Sequence, residues 1–224
     1  MGRPEGEQGM LTDQDAAQGK SSLAEAAYLD LRWRILSGQL AAGVLLTEPE
    51  IVDRTGHGRA PVRAAMAALR HDQLIDIVPR RGFFVRPWSA AEARDLVAAR
   101  QMIEPQVASL AARHRSAADL QALDDIETRW AEAAKRMDPQ ALVLLDLEFH
   151  VAVARASGNA VLADVVSALK IRSHHQFRMN GQRVNFVAGV ARDHGAILTA
   201  IREGDAQAAE AAMRAHVGAV TAQV

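Results

Sequence analysis

Helix-start signals recur so often along this chain that they dictate a largely helical fold. Ser22 with Glu25, Thr47 with Glu50 and Ser89 with Glu92 each read as a capping box. Ser116 with Asp119 marks a further start, and Asp138 followed by Pro139 is an N-cap with proline at the first helical position. Gly204 suits a left-handed helix end, and Asp205 suits the cap that opens the last helix. Composition agrees: 49% of the 224 residues are apolar but only nine are aromatic (three Trp, one Tyr, five Phe), with abundant Ala. That balance favours Ala-rich helix packing over sheets. The absence of cysteine excludes disulfides, thiolate catalysis and cysteine zinc sites, so any metal must be held by His and carboxylates. No stretch approaches the ~20 apolar residues of a membrane span, and no signal-peptide pattern opens the chain. The expectation is a soluble cytoplasmic protein with no membrane partner.

Residues 1–21 are polar and Gly-rich without periodicity and read as a flexible tail. A helix is expected from Ser22, with Leu23, Ala27, Leu31, Ile35 and Leu36 at helical spacing and Gly38 at its end. A short helix from Thr47 to about Thr55 follows, then the turn Gly56-His57-Gly58 and a helix through "RAPVRAAMAALRHD". "LIDIVP" and "GFFVRP" read as two strands around Arg80-Arg81. Helix, helix, turn, helix, hairpin is the order of a winged helix-turn-helix, which we assign to residues 22–87. Residues 88–224 read as helix throughout, six in all. The fold class is therefore mainly α: an N-terminal winged helix-turn-helix plus a C-terminal antiparallel all-helical bundle.

Charge points to the partner of the first domain. Arg54, Arg59, Arg63, Arg70, Arg80, Arg81 and Arg86 face only Asp72 and Asp76 between residues 54 and 86, in a chain of net charge −1. Such a surplus suits a polyanion, although a solvated face would carry it too. In a helix-turn-helix the second helix enters the major groove of double-stranded DNA, leading with its N-terminal residues. Arg59 and Arg63 lie four apart on that helix and match the acceptors of guanine or phosphate. Arg80, Arg81 and Gly82 form the hairpin turn, which would reach phosphates or the minor groove.

The second domain carries polar residues on an apolar helix. In "LVLLDLEFHVAVA", residues 142–154, Asp146 and His150 share one face. His194 and His216 lie about ten residues before and eleven after the turn at Gly204-Asp205, hence at one height on neighbouring helices at ~1.5 Å rise per residue. One carboxylate and three imidazoles can thus converge, a set that suits a divalent metal: zinc foremost, with nickel, manganese or iron as alternatives. The bland alternative is a hydrogen-bonded Asp–His couple with two satisfied histidines. Glu148 belongs to another face, Glu104 is unconstrained by spacing, and no nucleophile–base pair or phosphate loop is present. An enzyme is not expected.

Two groups of segments resemble a known family. "LRWRILSGQLAAGVLLTEPEIV", "GRAPVRAAMAAL" and "LIDIVPRRGFFVRP" resemble the winged helix of GntR-type bacterial transcription regulators. Gly58 and Ala60 stand where that family usually carries a small hydroxyl residue and Thr. "LDLEFHVAVARASGN" and "DHGAILTAIREGDAQAAEAAMRAHV" resemble the FCD ligand-binding domain of the FadR subfamily, and the six-helix count resembles its VanR-like branch. The resemblance implies a homodimer on a palindromic operator, modulated by a small organic acid bound at a metal on Asp146, His150, His194 and His216. It also implies that Arg100 holds the effector carboxylate. Arg172 is a second candidate for that role. A metal that only braces the bundle, or a helical metalloenzyme, are the alternatives.

Overall fold

The structure, a computed structural model, describes residues 13–87, 89–179 and 185–221, with side chains described from Leu23 onward and masked again at 139, 174–192 and 220–221. The chain divides into two compact units, one of Met1–Ile35 with Gln39–Arg86 and one of Leu36–Gly38 with Pro87–Val224. Nine helices and three strands occur among the described residues. None of these helices is long and apolar enough to cross a membrane.

The first unit contains α1 (Asp13–Leu36), β1 (Leu45–Leu46), α2 (Glu48–Thr55), α3 (Arg59–His71), β2 (Ile75–Val78) and β3 (Gly82–Val85). The first helix begins at Asp13, not at Ser22 as the capping pattern suggested, so residues 13–21 are helical instead of tail. The preceding "DQDAAQGK" has good helix formers, and once a nucleus exists each added residue gains one bond. Residues 1–12 lie outside the described residues. Of the apolar positions at helical spacing, Ala27, Leu31, Ile35 and Leu36 are buried, while Leu23 is exposed. Thr47 and Glu50 form a complete capping box, and Gly56 at φ 72° ends α2 in a left-handed turn. The helix α3 buries Val62, Ala65, Met66 and Leu69 and leaves Arg59, Arg63 and Arg70 exposed. The two expected strands pair antiparallel from Ile75↔Val85 to Val78↔Gly82, and β1, too short to read from sequence, adds a third in the order β1-β3-β2.

The second unit is the helical bundle: α4 (Ala90–His114), α5 (Ala117–Lys135), α6 (Pro139–Ala156), α7 (Ala160–Met179), α8 (Asn185–Glu203) and α9 (Ala206–Thr221). Ser89/Glu92 and Ser116/Asp119 form their capping boxes, and Asp138 caps α6 through Gln140 and Ala141. Gly204 at φ 78° and Asp205, whose carboxylate accepts from the Gln207 and Ala208 backbone N–H groups, make the α8–α9 turn. The helix α4 lies along α9 and also meets α6 and α7, while α5 covers α6. One core runs through these helices, with Trp130, Phe149, Ile197, Ile201, Met213 and Val217 among its members. It brings α6, α8 and α9 together at the level of the histidines.

Candidate DNA-reading surface and metal centre

On α3 the burial of one face turns the other to solvent, and that face begins with Arg59 and Arg63. Gly58 is the N-cap, with no side-chain bond to the first turn, as its lack of a hydroxyl demands. Arg63 Nε donates to Glu48 Oε2 at 2.7 Å. Pro79, Arg80 and Arg81 link β2 to β3; Arg80 adopts φ 62°, and the Arg81 N–H donates to Val78 O at 3.0 Å. Arg80 and Arg81 are exposed at the hairpin tip.

Gly82 has a reason in the sheet itself that sequence spacing did not reveal. It sits at φ 127°, and an added Cβ would lie 2.1 Å from Leu46 O. The approach of β1 by itself therefore requires glycine there. Gly82→Ala is expected to destabilise the winged-helix unit by about 3 kcal/mol, from left-handed strain plus backbone overlap. Denaturant unfolding reads this; a change within about 0.5 kcal/mol would mean that β1 yields freely.

In the bundle, Asp146, His150, His194 and His216 are all buried, and each offers one ligand atom within 4.8 Å of the others. His194 Nε2 is 3.3 Å and His150 Nε2 3.6 Å from Asp146 Oδ1. The Nε2 atoms of His150 and His216 are 3.1 Å apart. Phe149 stacks on His194 at 3.9 Å between ring centroids, and Trp130 meets that ring edge-on. These aromatics hold the plane of the His194 ring.

Behind each imidazole stands a carboxylate. Glu104 Oε2 lies 2.5 Å from His150 Nδ1. Asp193 Oδ2 is 3.4 Å from His216 Nδ1, and Glu127 Oε1 is 3.7 Å from His194 Nδ1. A carboxylate beside Nδ1 favours the proton there on His150 and His216, which turns their Nε2 lone pairs inward, whereas His194 has Asp146 Oδ1 nearer its Nε2 than Glu127 is to its Nδ1. Two such lone pairs 3.1 Å apart repel each other unless a cation or proton lies between them. Metal–nitrogen bonds of about 2.0–2.1 Å put neighbouring ligands roughly 3.0–3.4 Å apart, close to the separations found here. Asp146 Oδ1 and His194 Nε2 are moreover buried without a hydrogen-bond partner. The donor set and its geometry fit a divalent cation.

The other Asp146 oxygen is taken: Lys170 Nζ from α7 donates to Oδ2 at 2.6 Å. Burial opposes ionisation of Asp146, yet Lys170 and the imidazoles hold its carboxyl well below the usual carboxylate range. Glu104 is likewise buried, and Arg100, His150 and Lys170 hold it well below that range. Burial pushes His216 well below the ordinary imidazole value, with the neighbouring His150 and His194 adding to the shift. Burial also lowers His194, but Asp146 and Glu127 outweigh it and leave the value raised. Arg100 is fully enclosed, donating from Nε to Glu104 Oε1 at 2.5 Å and from Nη1 to Ser173 Oγ at 2.9 Å. Its Nη2 has no partner among the described residues. Arg172 is half-buried, and its Nε is also without one.

Sequence reasoning missed Lys170, Glu127, Asp193 and Ser173. The stripe Val166, Lys170, Ser173 has the spacing of an inward helix face, so a lysine there was a readable anomaly. His174 and His175 have side chains outside the described residues.

A winged helix with arginines on its reading helix α3 and at its hairpin tip, carried with a separate helical bundle, defines a DNA-binding transcription regulator. The chain belongs to the GntR family of bacterial regulatory proteins, which matches residues 23–85, and its bundle is an FCD domain, matched over residues 95–219. An HTH-type transcriptional regulator in an unstable DNA locus of Streptomyces ambofaciens is 30% identical over 86% of this chain and 81% of its own. The HTH-type transcriptional repressor RspR of Escherichia coli K12 is 29% identical over 88% and 86%. Among solved structures, E. coli McbR/YncC has the same fold, with a TM-score of 0.78 at 17% identity, covering 90% of this chain and 96% of that one. These relatives are named as regulators, not enzymes.

Proposed function

We propose that this regulator is a homodimer that reads a palindromic operator and answers to a small carboxylate effector bound at a divalent metal. Arg59 and Arg63 address base edges in the major groove, and Arg80 and Arg81 address phosphates or the minor groove. Asp146, His150, His194 and His216 hold the metal, with zinc the best match to a nitrogen-rich set. The observation that carries the metal is the arrangement of the three rings, each backed by a carboxylate at Nδ1 and each turning Nε2 to one point beside Asp146 Oδ1. The bound ion would supply a Lewis-acidic anchor for a carboxylate. Arg100, with one Nη free, and Arg172 are the side chains that would hold the rest of it. A second reading, in which the metal only braces the bundle, is favoured by the near-complete burial of all four residues.

A titration separates the two. Operator is first selected from a random duplex library, then its binding to zinc-loaded protein is followed by fluorescence anisotropy across a panel of mono-, di- and tricarboxylic acids. At least one acid is expected to shift the operator Kd by about tenfold or more, and to lose that effect after chelation. A loaded protein indifferent to every acid would leave only the brace.

A further inference from the structure

We infer that Glu48 is a specificity-determining residue: it braces Arg63 so that the arginine presents its terminal guanidinium edge to a guanine. The inference rests on the reading of α3 as the helix that enters the major groove. Glu48 is the first residue of α2, after the N-cap Thr47. Capping of that helix is already complete between Thr47 and Glu50, so Glu48 is not needed for it. Its Oε2 instead accepts from Arg63 Nε at 2.7 Å, across 15 residues of sequence. Binding at Nε leaves the Nη1–Nη2 edge to match guanine O6 and N7.

The pair is exposed, and exposed ion pairs add little to stability. Glu48 also weakens the field that draws in phosphate, since it lies close enough to Arg59 as well as Arg63 for both to lower its proton affinity. A carboxylate here costs affinity for DNA of any sequence. What it returns is restraint of a long, flexible side chain before binding, which favours the one base that fits. The two effects have opposite signs, and that makes them separable.

Wild type, Glu48→Gln and Arg63→Ala are each used to select from a random-sequence duplex library. Kd values are then measured for the wild-type consensus, its single-base variants and a scrambled duplex. Arg63→Ala should flatten preference at one guanine per half-site. Glu48→Gln should cut discrimination at that same guanine by about tenfold while binding scrambled duplex at least as tightly as wild type. A mere contribution to helix stability would shift the unfolding midpoint and leave the base preference alone. The inference is overturned if Glu48→Gln keeps wild-type discrimination where Arg63→Ala loses it. It is equally overturned if Glu48→Gln tightens binding to all sequences alike, which would make the pair a latch. If Arg63→Ala flattens no position, the reading of α3 fails first and takes this inference with it.

Discussion

Chelation is expected to lower the thermal midpoint of the helical unit by about 10 °C, and re-added zinc to restore it. A metal present about 1,000-fold above its Kd contributes about 4 kcal/mol, and a domain of this size shifts by about 2–4 °C per kcal/mol. Elemental analysis of the loaded protein should find about one metal per chain, and His216→Gln should abolish both the uptake and the zinc-dependent rise. The bundle should survive metal loss. A hydrogen bond between the Nε2 atoms of His150 and His216, 3.1 Å apart, can then take the place of the ion. The buried Arg100–Glu104 and Lys170–Asp146 pairs stay in place to neutralise the site. A loaded wild type with no stoichiometric metal and an unmoved midpoint would dispose of the metal centre.

Loss of DNA binding should be the largest functional effect of any single substitution. Arg59→Ala or Arg63→Ala is expected to weaken binding to selected operator by about 100-fold. One bidentate base contact is worth roughly ten- to a hundredfold, and the proposed dimer on a palindrome would lose it twice. Arg80→Ala should act differently, weakening binding to all sequences alike and reducing the salt slope by about one. Anisotropy titrations at two or more salt concentrations read both. Near-wild-type binding by both α3 variants would show that this helix does not read the groove.

Much of the fold was legible because its signals are local. Capping boxes at Thr47, Ser89 and Ser116 and the Asp138-Pro139 start act within one helical turn, and each stands where spacing put it. Ser22 is the exception: an equally good local pattern lost to a helix already propagating from Asp13. The strand β1 was illegible because two residues carry no period.

What the sequence determined by itself is therefore the order of elements and the residues able to share a face. It set Asp146 beside His150 at i, i+4 and placed His194 level with His216 across the Gly204-Asp205 turn, which the helical rise makes unavoidable. Only the tertiary structure decided how six helices rotate about their own axes. Those rotations put Glu104, Glu127 and Asp193 behind the three imidazoles and Lys170 against Asp146 Oδ2. In the first unit, Glu48 meeting Arg63 and Leu46 crowding Gly82 belong to the same class of fact. Periodicity tells which residues point inward together; which of them touch depends on side-chain packing between elements far apart in the chain.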